Sequence, residues 1–329
     1  MNKSNTAVLL VNVGSPDAPT KPAVRRYLTQ FLNDKRVIDI PWLTRKILVN
    51  LIIIPFRVKK STQLYLRLWT KKGSPLIYLS KELQEKLQDK LGEKADVFLG
   101  MRYGNPGYKQ ALLQIQKEGY KKLIVLPLFP QHALSTTETA FVAVEDYIQK
   151  KKINIEVVRI GQFFRNPGFI KAFAEQAQKY DPKSFDFVLF SYHGLPNRQD
   201  EKSQPDEQPA GETYAYSRAC CETTQLIANE MGLKDDEYTI GFQSRLSKNW
   251  LTPFSDEVLD RKLQEGKKRI LVLAPAFVTD CLETIVEIEH DYNREFKQKG
   301  GEKVQLVESL NTHDRWVDTL CELIEAKLD

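Results

Sequence analysis

The sequence predicts an α/β fold of two similar Rossmann-like lobes, each a four-stranded parallel sheet flanked by helices, with a cleft between them. Three observations predict this fold. Short apolar segments alternate along the chain with helix-length amphipathic segments, which is typical of parallel sheets. Four strand-like segments fall in each half of the sequence. The chain has 329 residues, more than one ordinary core accommodates.

The strand-like segments are apolar and rich in β-branched residues. In the first lobe, residues 1–161, they lie at 6–13, 95–101, 122–129 and 154–160. In the second lobe, residues 162–313, they lie at 185–192, 238–244, 269–277 and 304–309. The last helix, 314–329, is expected to pack back on the first lobe.

Composition and motifs exclude several function classes. The chain is 42% hydrophobic and 28% charged, and its net charge of +5 is too small to predict nucleic-acid binding. The first predicted strand ends in "VNVGSPDAPT", which has one glycine where a dinucleotide-binding turn needs GxGxxG. No phosphate-binding loop is present either. We therefore exclude NAD and ATP as ligands.

The N-terminus and the cysteines indicate a cytoplasmic protein. The first apolar run leads directly into a turn without a cleavage motif, so we expect a strand there, not a signal peptide. The four cysteines show no CxxC spacing. This usage is typical of a reduced compartment, and it predicts neither a zinc site nor an iron–sulfur site.

One segment is both basic and apolar. Between Asp39 and Glu82 there is no acidic residue, yet eight Lys and Arg residues lie from Arg45 to Lys72. The apolar run "KILVNLIIIPF" within it is too short to span a bilayer, which takes about 20 residues. Two interpretations stay open: a core helix, or an amphipathic patch that contacts a membrane or a flat apolar ligand. Residues 46–72 are the candidate for peripheral contact with the inner face of the membrane.

A histidine follows the strand predicted at 185–192, in the sequence "LFSYHGLP". His193 therefore lies at the carboxyl end of a strand, where open α/β sheets bind their ligands. The alternative is a histidine that is hydrogen-bonded within a strand–helix loop.

Acidic residues follow the strand predicted at 269–277. If residues 278–296 form a helix, Glu283, Glu287, Asp291 and Glu295 recur at four-residue steps along one face. Asp280 and Glu283 also fit a capping pair at the start of that helix. One imidazole and several carboxylates suit a labile divalent first-row metal, or proton transfer.

Several motifs lie along the chain in one order: "LLVNVGSP", "GSPL", "MRYGNP", "LPLFPQHALSTT", "SYHGLP", "FQSRLSKNWLTPFSDEVL" and "DCLETIVEI". Because it has these motifs in this order, the chain resembles the ferrochelatases, the enzymes that insert ferrous iron into a porphyrin to make haem. "SYHGLP" and "FVTDCLET" are the most specific of these motifs.

The resemblance implies a role for each matching residue. His193 and Glu283 match the catalytic pair, and with Glu287 and Asp291 they form the predicted metal line. Arg102 and Tyr103 match residues on the opposite porphyrin face, and Trp250 matches a tryptophan near the pocket mouth. We also predict that Lys59, Lys60 and Ser74 bind the substrate. The porphyrin, expected to be protoporphyrin IX, and Fe²⁺ are the partners, and no cofactor is expected to stay bound.

Two departures from the family pattern stand out. Cys281 occupies the position of a second histidine in animal members. The sequence also ends at Asp329, without the extension whose cysteines ligate a [2Fe–2S] cluster in animal members, so no cluster is expected. Two alternatives stay open: a related tetrapyrrole chelatase for coproporphyrin, sirohydrochlorin or another metal, and a haem or porphyrin carrier without enzymatic activity.

Overall fold

The computed structural model describes residues 5–202 and 215–328. Within these ranges the strands form two four-stranded sheets, and every strand pairing is parallel. Each strand lies where the sequence predicts one, with ends that differ by a few residues. The predicted α/β class with two similar lobes is confirmed.

The first sheet has the strand order β2-β1-β3-β4. Its strands are β1 (Thr6–Asn12), β2 (Asp96–Met101), β3 (Lys122–Pro127) and β4 (Glu156–Arg159). Strand β1 is central and buried along its whole length, because a parallel sheet is covered on both faces. This burial explains the uninterrupted apolar run at the start of the chain.

Six α-helices accompany this sheet in the described residues. They are α1 (Lys21–Leu32), α2 (Trp42–Ile47), α3 (Ile54–Leu68), α4 (Pro75–Leu91), α5 (Tyr108–Glu118) and α6 (Thr139–Lys151). Leu9 and Val125 of the sheet pack with Leu112 of α5 and Val144 of α6 in one apolar core. Each such side chain contributes roughly 1.5–3 kcal/mol when fully buried.

The second sheet repeats the order as β6-β5-β7-β8. Its strands are β5 (Phe187–His193), β6 (Tyr238–Gln243), β7 (Arg269–Leu273) and β8 (Lys303–Leu306). The helices described in this part are α7 (Pro167–Gln178), α8 (Asn197–Lys202), α9 (Tyr216–Glu230), α10 (Ser255–Gln264), α11 (Asn293–Gln298) and α12 (Asp314–Glu325). Leu189 and Val272 pack with Ile288 and Phe296 in its core.

The chain divides into two compact units. One comprises Met1–Leu128, Leu134–Gly161 and Leu320–Asp329, and the other comprises Phe129–Ala133 and Gln162–Thr319. The division falls inside α12, so the last helix contributes residues to both units.

Three segments within residues 5–202 and 215–328 are π-helical: Leu48–Ile53, Leu134–Glu138 and Leu282–Tyr292. The sequence predicts an ordinary helix over 278–296, and this prediction is wrong in two respects. The helix begins at Leu282, and its first eleven residues are π-helical before the chain continues as α11. Hydrogen bonds in a π-helix join residues five apart, and such turns occur frequently at functional sites.

The basic, apolar segment forms a surface element. Val49 and Ile54 are buried, but Leu51, Ile52 and Phe56 are exposed, Phe56 to 80%. Trp42, Leu43 and Ile47, just before them, are exposed as well. The interpretation as a core helix therefore fails for most of the apolar side chains. No helix in the described ranges is long and apolar enough to cross a bilayer.

Candidate active site

His193 is the last residue of β5, as the sequence predicts. Its ring nitrogen Nδ1 lies 2.7 Å from the carbonyl oxygen of Gly194. A carbonyl oxygen can only accept a hydrogen bond, so Nδ1 carries the hydrogen and donates it. The lone pair of a neutral imidazole is then on Nε2. The fold thus fixes which nitrogen of His193 can take up a proton.

Aromatic rings flank the His193 imidazole. The ring centroid of Trp250 lies 6.4 Å from that of His193, and the ring of Phe277 lies 6.5 Å away. A Cβ atom on Gly194 would come within 3.0 Å of the Gln243 carbonyl oxygen and 3.2 Å of the Trp250 ring. Glycine therefore follows His193 because the backbone and the indole approach closely there.

Gln243 lies directly opposite His193 in the sheet and connects it to the acidic segment. The two residues are paired in the β5–β6 register. The Gln243 amide accepts a hydrogen bond from Ser191 at 2.8 Å. It donates to the Glu283 carbonyl oxygen at 3.0 Å and to the Glu287 carboxylate at 3.2 Å. Gln243 is 1% exposed, so these bonds hold a buried amide in one orientation.

Glu287 accepts four hydrogen bonds through its two carboxylate oxygens. Ser244 donates both its backbone N–H, at 2.8 Å, and its hydroxyl, and Gln243 and Tyr292 donate the other two. Burial raises the pKa of Glu287, and the nearby Glu283 carboxylate adds to the rise. The bonds from Ser244 and Gln243, and a positive charge on His193 when its ring is protonated, act in the opposite direction. The Glu287 carboxylate is thereby held at Gln243 and Ser244, and Gln243 is the residue paired with His193 in the sheet.

The predicted capping pair of Asp280 and Glu283 is not formed. The π-helical segment is capped by Cys281, whose backbone N–H donates to the Thr284 hydroxyl at 3.0 Å. The Thr284 hydroxyl in turn donates to Asp280 at 3.0 Å. Because the N-cap is Cys281, one residue later than the predicted Asp280, Thr284 takes the N3 role expected of Glu283. The Glu283 side chain therefore has no capping role in this segment.

The Cys281 thiol lies beside the Glu283 carboxylate. Burial raises the pKa of this thiol well above its ordinary value, and the charge of Glu283 raises it further. The thiol therefore stays protonated near neutral pH and is a poor metal ligand, since thiolates are the species that bind metals.

Asp291, the outer acid of the predicted metal line, and Glu295, the next acid along the helix, lie beside the same cation. Asp291 forms an ion pair with Arg294 at 2.8 Å, and Glu295 lies 3.5 Å from the same guanidinium. In residues 5–202 and 215–328, no three His, Cys, Asp or Glu side chains are arranged to hold a metal ion together. The described chain thus contains no preformed metal cage around His193.

Arg102 and Tyr103 follow β2 in the other compact unit. The Arg102 guanidinium lies over the Tyr103 ring, 4.5 Å from its centroid. Both residues donate to the carboxylate of Asp34. Tyr103 is only 2% exposed, whereas the Arg102 side chain is 19% exposed. A Cβ atom on Gly14, where φ is +106°, would collide with the Tyr103 carbonyl oxygen.

The other predicted substrate contacts lie in the same unit as Arg102. Lys59 and Lys60 are exposed on α3, next to the exposed Phe56. Ser74 precedes α4 and is buried, and its hydroxyl has no hydrogen-bond partner in the described part of the chain.

The sequence model of the ferrochelatase family matches residues 5–328. The chain belongs to the ferrochelatase family. It is 39% identical to a ferrochelatase of Coxiella burnetii, strain CbuK_Q154, over 99% of this chain and 95% of that protein. It is 38% identical to a ferrochelatase of Legionella pneumophila, strain Paris, over 98% of this chain and 99% of that protein. The chain is accordingly a metal chelatase that inserts iron into a porphyrin.

Solved structures of other proteins share the fold. The sirohydrochlorin chelatase SirB from Bacillus subtilis subspecies spizizenii, in complex with cobalt, matches with a TM-score of 0.57 at 11% identity. The match covers 98% of this chain and 95% of SirB. CbiX, the terminal enzyme of sirohaem biosynthesis in denitrifying bacteria, matches with a TM-score of 0.51 at 15% identity, over 98% of this chain and all of CbiX. At such low identity these likenesses concern the fold alone.

Four polar residues that hold the candidate side chains, three in one compact unit and one in the other, were not predicted from the sequence. Gln243 and Ser244 are the second and third residues of the motif "FQSRLSKNWLTPFSDEVL", and this motif is the sequence signal that could have identified them. Thr284 lies three residues after Cys281, which is the spacing of a capping pair. The predicted helix start had assigned this role to Glu283. Asp34 had no local signal, because its partner Arg102 lies 68 residues away.

We predict that Thr284→Val destabilises the fold more than Glu283→Gln does. Thr284→Val leaves the Cys281 N–H and the buried Asp280 carboxylate each one bond short, which costs about 1–3 kcal/mol. Glu283→Gln removes a charge without removing a cap, so its free energy of unfolding should stay near the wild-type value. Urea unfolding of both variants at pH 7 measures the difference. Equal destabilisation by both changes would show that Glu283 caps the helix and would contradict this prediction.

Proposed function

We propose that His193 and Glu283 accept the two pyrrole protons of a porphyrin, most specifically protoporphyrin IX, as ferrous iron enters it. A free-base porphyrin carries two N–H groups and must lose both protons for each Fe²⁺ that it binds. The observation that carries the proposal is the bond from His193 Nδ1–H to the Gly194 carbonyl, which leaves the Nε2 lone pair free. A neutral imidazole with its Nε2 lone pair available can act as a general base.

Glu283 is the proposed partner in proton transfer. The Glu283 carboxylate raises the pKa of Glu287, and Gln243 joins the Glu283 backbone to the strand position paired with His193, which supports a close arrangement of the three residues. The Cys281 thiol beside it is protonated and cannot take a further proton. The carboxylate of Glu283 is therefore the second acceptor next to the imidazole.

Fe²⁺ is a substrate here, and we propose that His193, Glu283, Glu287 and Asp291 form its route to the porphyrin. A line of carboxylates raises the local concentration of cations without binding them permanently. The absence of a three-ligand cage in the described residues suits a transient ion, which must be released to the macrocycle. Asp291, half-exposed and paired with Arg294, is the proposed outer end of this route.

The porphyrin contacts are proposed from charge and ring chemistry. Arg102, stacked on Tyr103, offers a cation and an aromatic ring to the macrocycle. Lys59 and Lys60 are exposed cations suited to propionate groups, and the unpaired buried hydroxyl of Ser74 suits a polar group of the ligand. Trp250, near the His193 ring, supplies a further aromatic face. We also propose that the two compact units are the two lobes predicted from the sequence.

We further propose that the exposed apolar residues of 42–56 contact a membrane surface. Leu51, Ile52 and Phe56 form an apolar face, and Arg57, Lys59 and Lys60 are exposed just beyond it. Apolar side chains flanked by cations suit the interface of an anionic bilayer. Arg45 does not take part, because it is buried and donates to the Ile40 carbonyl oxygen at 2.8 Å.

We expect His193→Ala to abolish porphyrin metallation while porphyrin binding and stability are retained. Loss of a general base lowers the rate by about 10²- to 10⁴-fold. Metallation is followed as the loss of free-base porphyrin fluorescence on adding Fe²⁺ without oxygen, or Zn²⁺. His290→Ala is the matched control, because His290 is an exposed histidine in the π-helical segment that carries Glu283.

The same assay separates the remaining possibilities. Running it with protoporphyrin, coproporphyrin and sirohydrochlorin identifies the preferred macrocycle from its kcat/KM. A carrier would shift the fluorescence of the porphyrin without consuming it. Metallation by His193→Ala at the wild-type rate would show that His193 takes no part in the reaction.

We predict salt-sensitive binding to anionic vesicles through the exposed apolar face. Each cation near such a surface contributes about 1 kcal/mol, and the attraction falls as salt rises. The double change Leu51→Ser and Phe56→Ser should weaken binding, whereas Leu113→Ser, at an exposed leucine of α5, should not. Cosedimentation at low and high salt measures this. No binding at low salt, or equal weakening by Leu113→Ser, would contradict the proposal.

A further inference from the structure

We propose that Asp34 is a positioning residue for Arg102: its buried carboxylate holds the guanidinium so that one nitrogen stays available to the porphyrin. The inference rests on the proposed role of Arg102 in porphyrin binding. Asp34 lies in the loop after α1, between α1 and the basic segment, and belongs to the same compact unit as Arg102. Neither the sequence motifs nor the mechanism above uses it.

Four donors converge on the Asp34 carboxylate. Oδ2 accepts from Arg102 Nη2, from the Tyr103 hydroxyl at 2.9 Å and from the Thr139 hydroxyl at 2.7 Å. Oδ1 accepts from the Arg36 backbone N–H at 2.8 Å. The Asp34 side chain is only 6% exposed. A buried carboxylate with this many donors is held in one orientation.

The guanidinium of Arg102 is fixed from two sides. Nη2 donates to Asp34, and Nε donates to the Thr139 hydroxyl and carbonyl oxygens at 3.0 and 3.1 Å. In the described part of the chain, no hydrogen bond is made by Nη1. Because a guanidinium is a rigid planar fork, fixing Nε and Nη2 also fixes the direction of Nη1. Nη1 is thus the donor that remains for a ligand.

The network stays charged at neutral pH. Burial raises the pKa of the Asp34 carboxyl, but the bonds from Arg36 and Thr139 and the charge of Arg102 lower it below its ordinary value. Asp34 therefore remains an anion opposite the Arg102 cation. Burial also raises the pKa of Tyr103. Tyr103 therefore stays a neutral phenol whose proton is donated to Asp34, and it serves as the platform under Arg102.

Asp34→Asn tests the proposal, because asparagine keeps the shape and removes the charge. We expect the KM for porphyrin to rise about ten- to hundredfold, the loss that one charge-assisted hydrogen bond accounts for. The KM for Fe²⁺ should stay unchanged, since Asp34 does not contact the proposed metal route. Asp89→Asn, at an exposed carboxylate of α4, is the control and should behave as the wild type.

A double-mutant cycle shows whether Asp34 acts through Arg102. The double variant Asp34→Asn/Arg102→Gln should have the same porphyrin KM as Arg102→Gln alone. Additive losses, or a porphyrin KM left unchanged by Asp34→Asn or by Arg102→Gln, would overturn the proposal. If Asp34→Asn does not fold, Thr139→Val replaces it, because it removes one donor to Asp34 and one acceptor of Arg102 Nε. A rise in porphyrin KM supports the proposal, and an unchanged value overturns it.

The wild type separates this proposal from the function on which it rests. A wild-type protein that neither binds nor metallates any porphyrin would overturn both. If it binds porphyrin without metallating it, the proposed function fails, and the porphyrin Kd then takes the place of KM in the same cycle. A wild-type protein that metallates porphyrin while Asp34→Asn keeps the wild-type KM overturns the Asp34 proposal alone.

Discussion

The four hydrogen bonds accepted by Glu287 are the constraint on which the candidate active site depends. Gln243 is the last residue of β6 and Ser244 is the residue after it. Both donate to the Glu287 carboxylate, which therefore joins the π-helical segment to the sheet. Gln243 is paired with His193 in register and also holds the Glu283 backbone. This partly buried acid thereby ties the strand position paired with His193 to the segment that carries Glu283. Without its donors, this buried charge would destabilise the segment that carries Glu283.

The Asp34 carboxylate plays the corresponding part in the other compact unit. It gathers Arg102, Tyr103 and Thr139 from two separate stretches of the chain. In both units apolar packing builds the sheet and its helices, whereas a single satisfied carboxylate sets the orientation of the reactive or binding side chains. Such networks are rigid when every donor and acceptor is paired, which is what a site needs to hold a geometry.

Local patterns in the sequence predicted the strands and the position of His193, because burial on both faces produces continuous apolar runs that end where the chain turns. The helix start after β7 was misplaced. Asp280 and Thr284 are both plausible capping residues, and only their bonds to each other and to Cys281 decide between them. The anchoring pairs were beyond local reasoning: Glu287 meets Ser244 across 43 positions, and Asp34 meets Arg102 across 68. Periodicity carries no information about such distant pairs.

In the proposed function, His193 and Glu283 act as one unit in removing porphyrin protons. The most direct test is the single-turnover rate of porphyrin metallation in His193→Ala, Glu283→Gln and the double variant, at saturating metal and porphyrin. Residues that act together are strongly non-additive. We predict that the double variant is no slower than the slower single variant. Losses that multiply in the double variant would show that the two side chains act independently, and would contradict the claim.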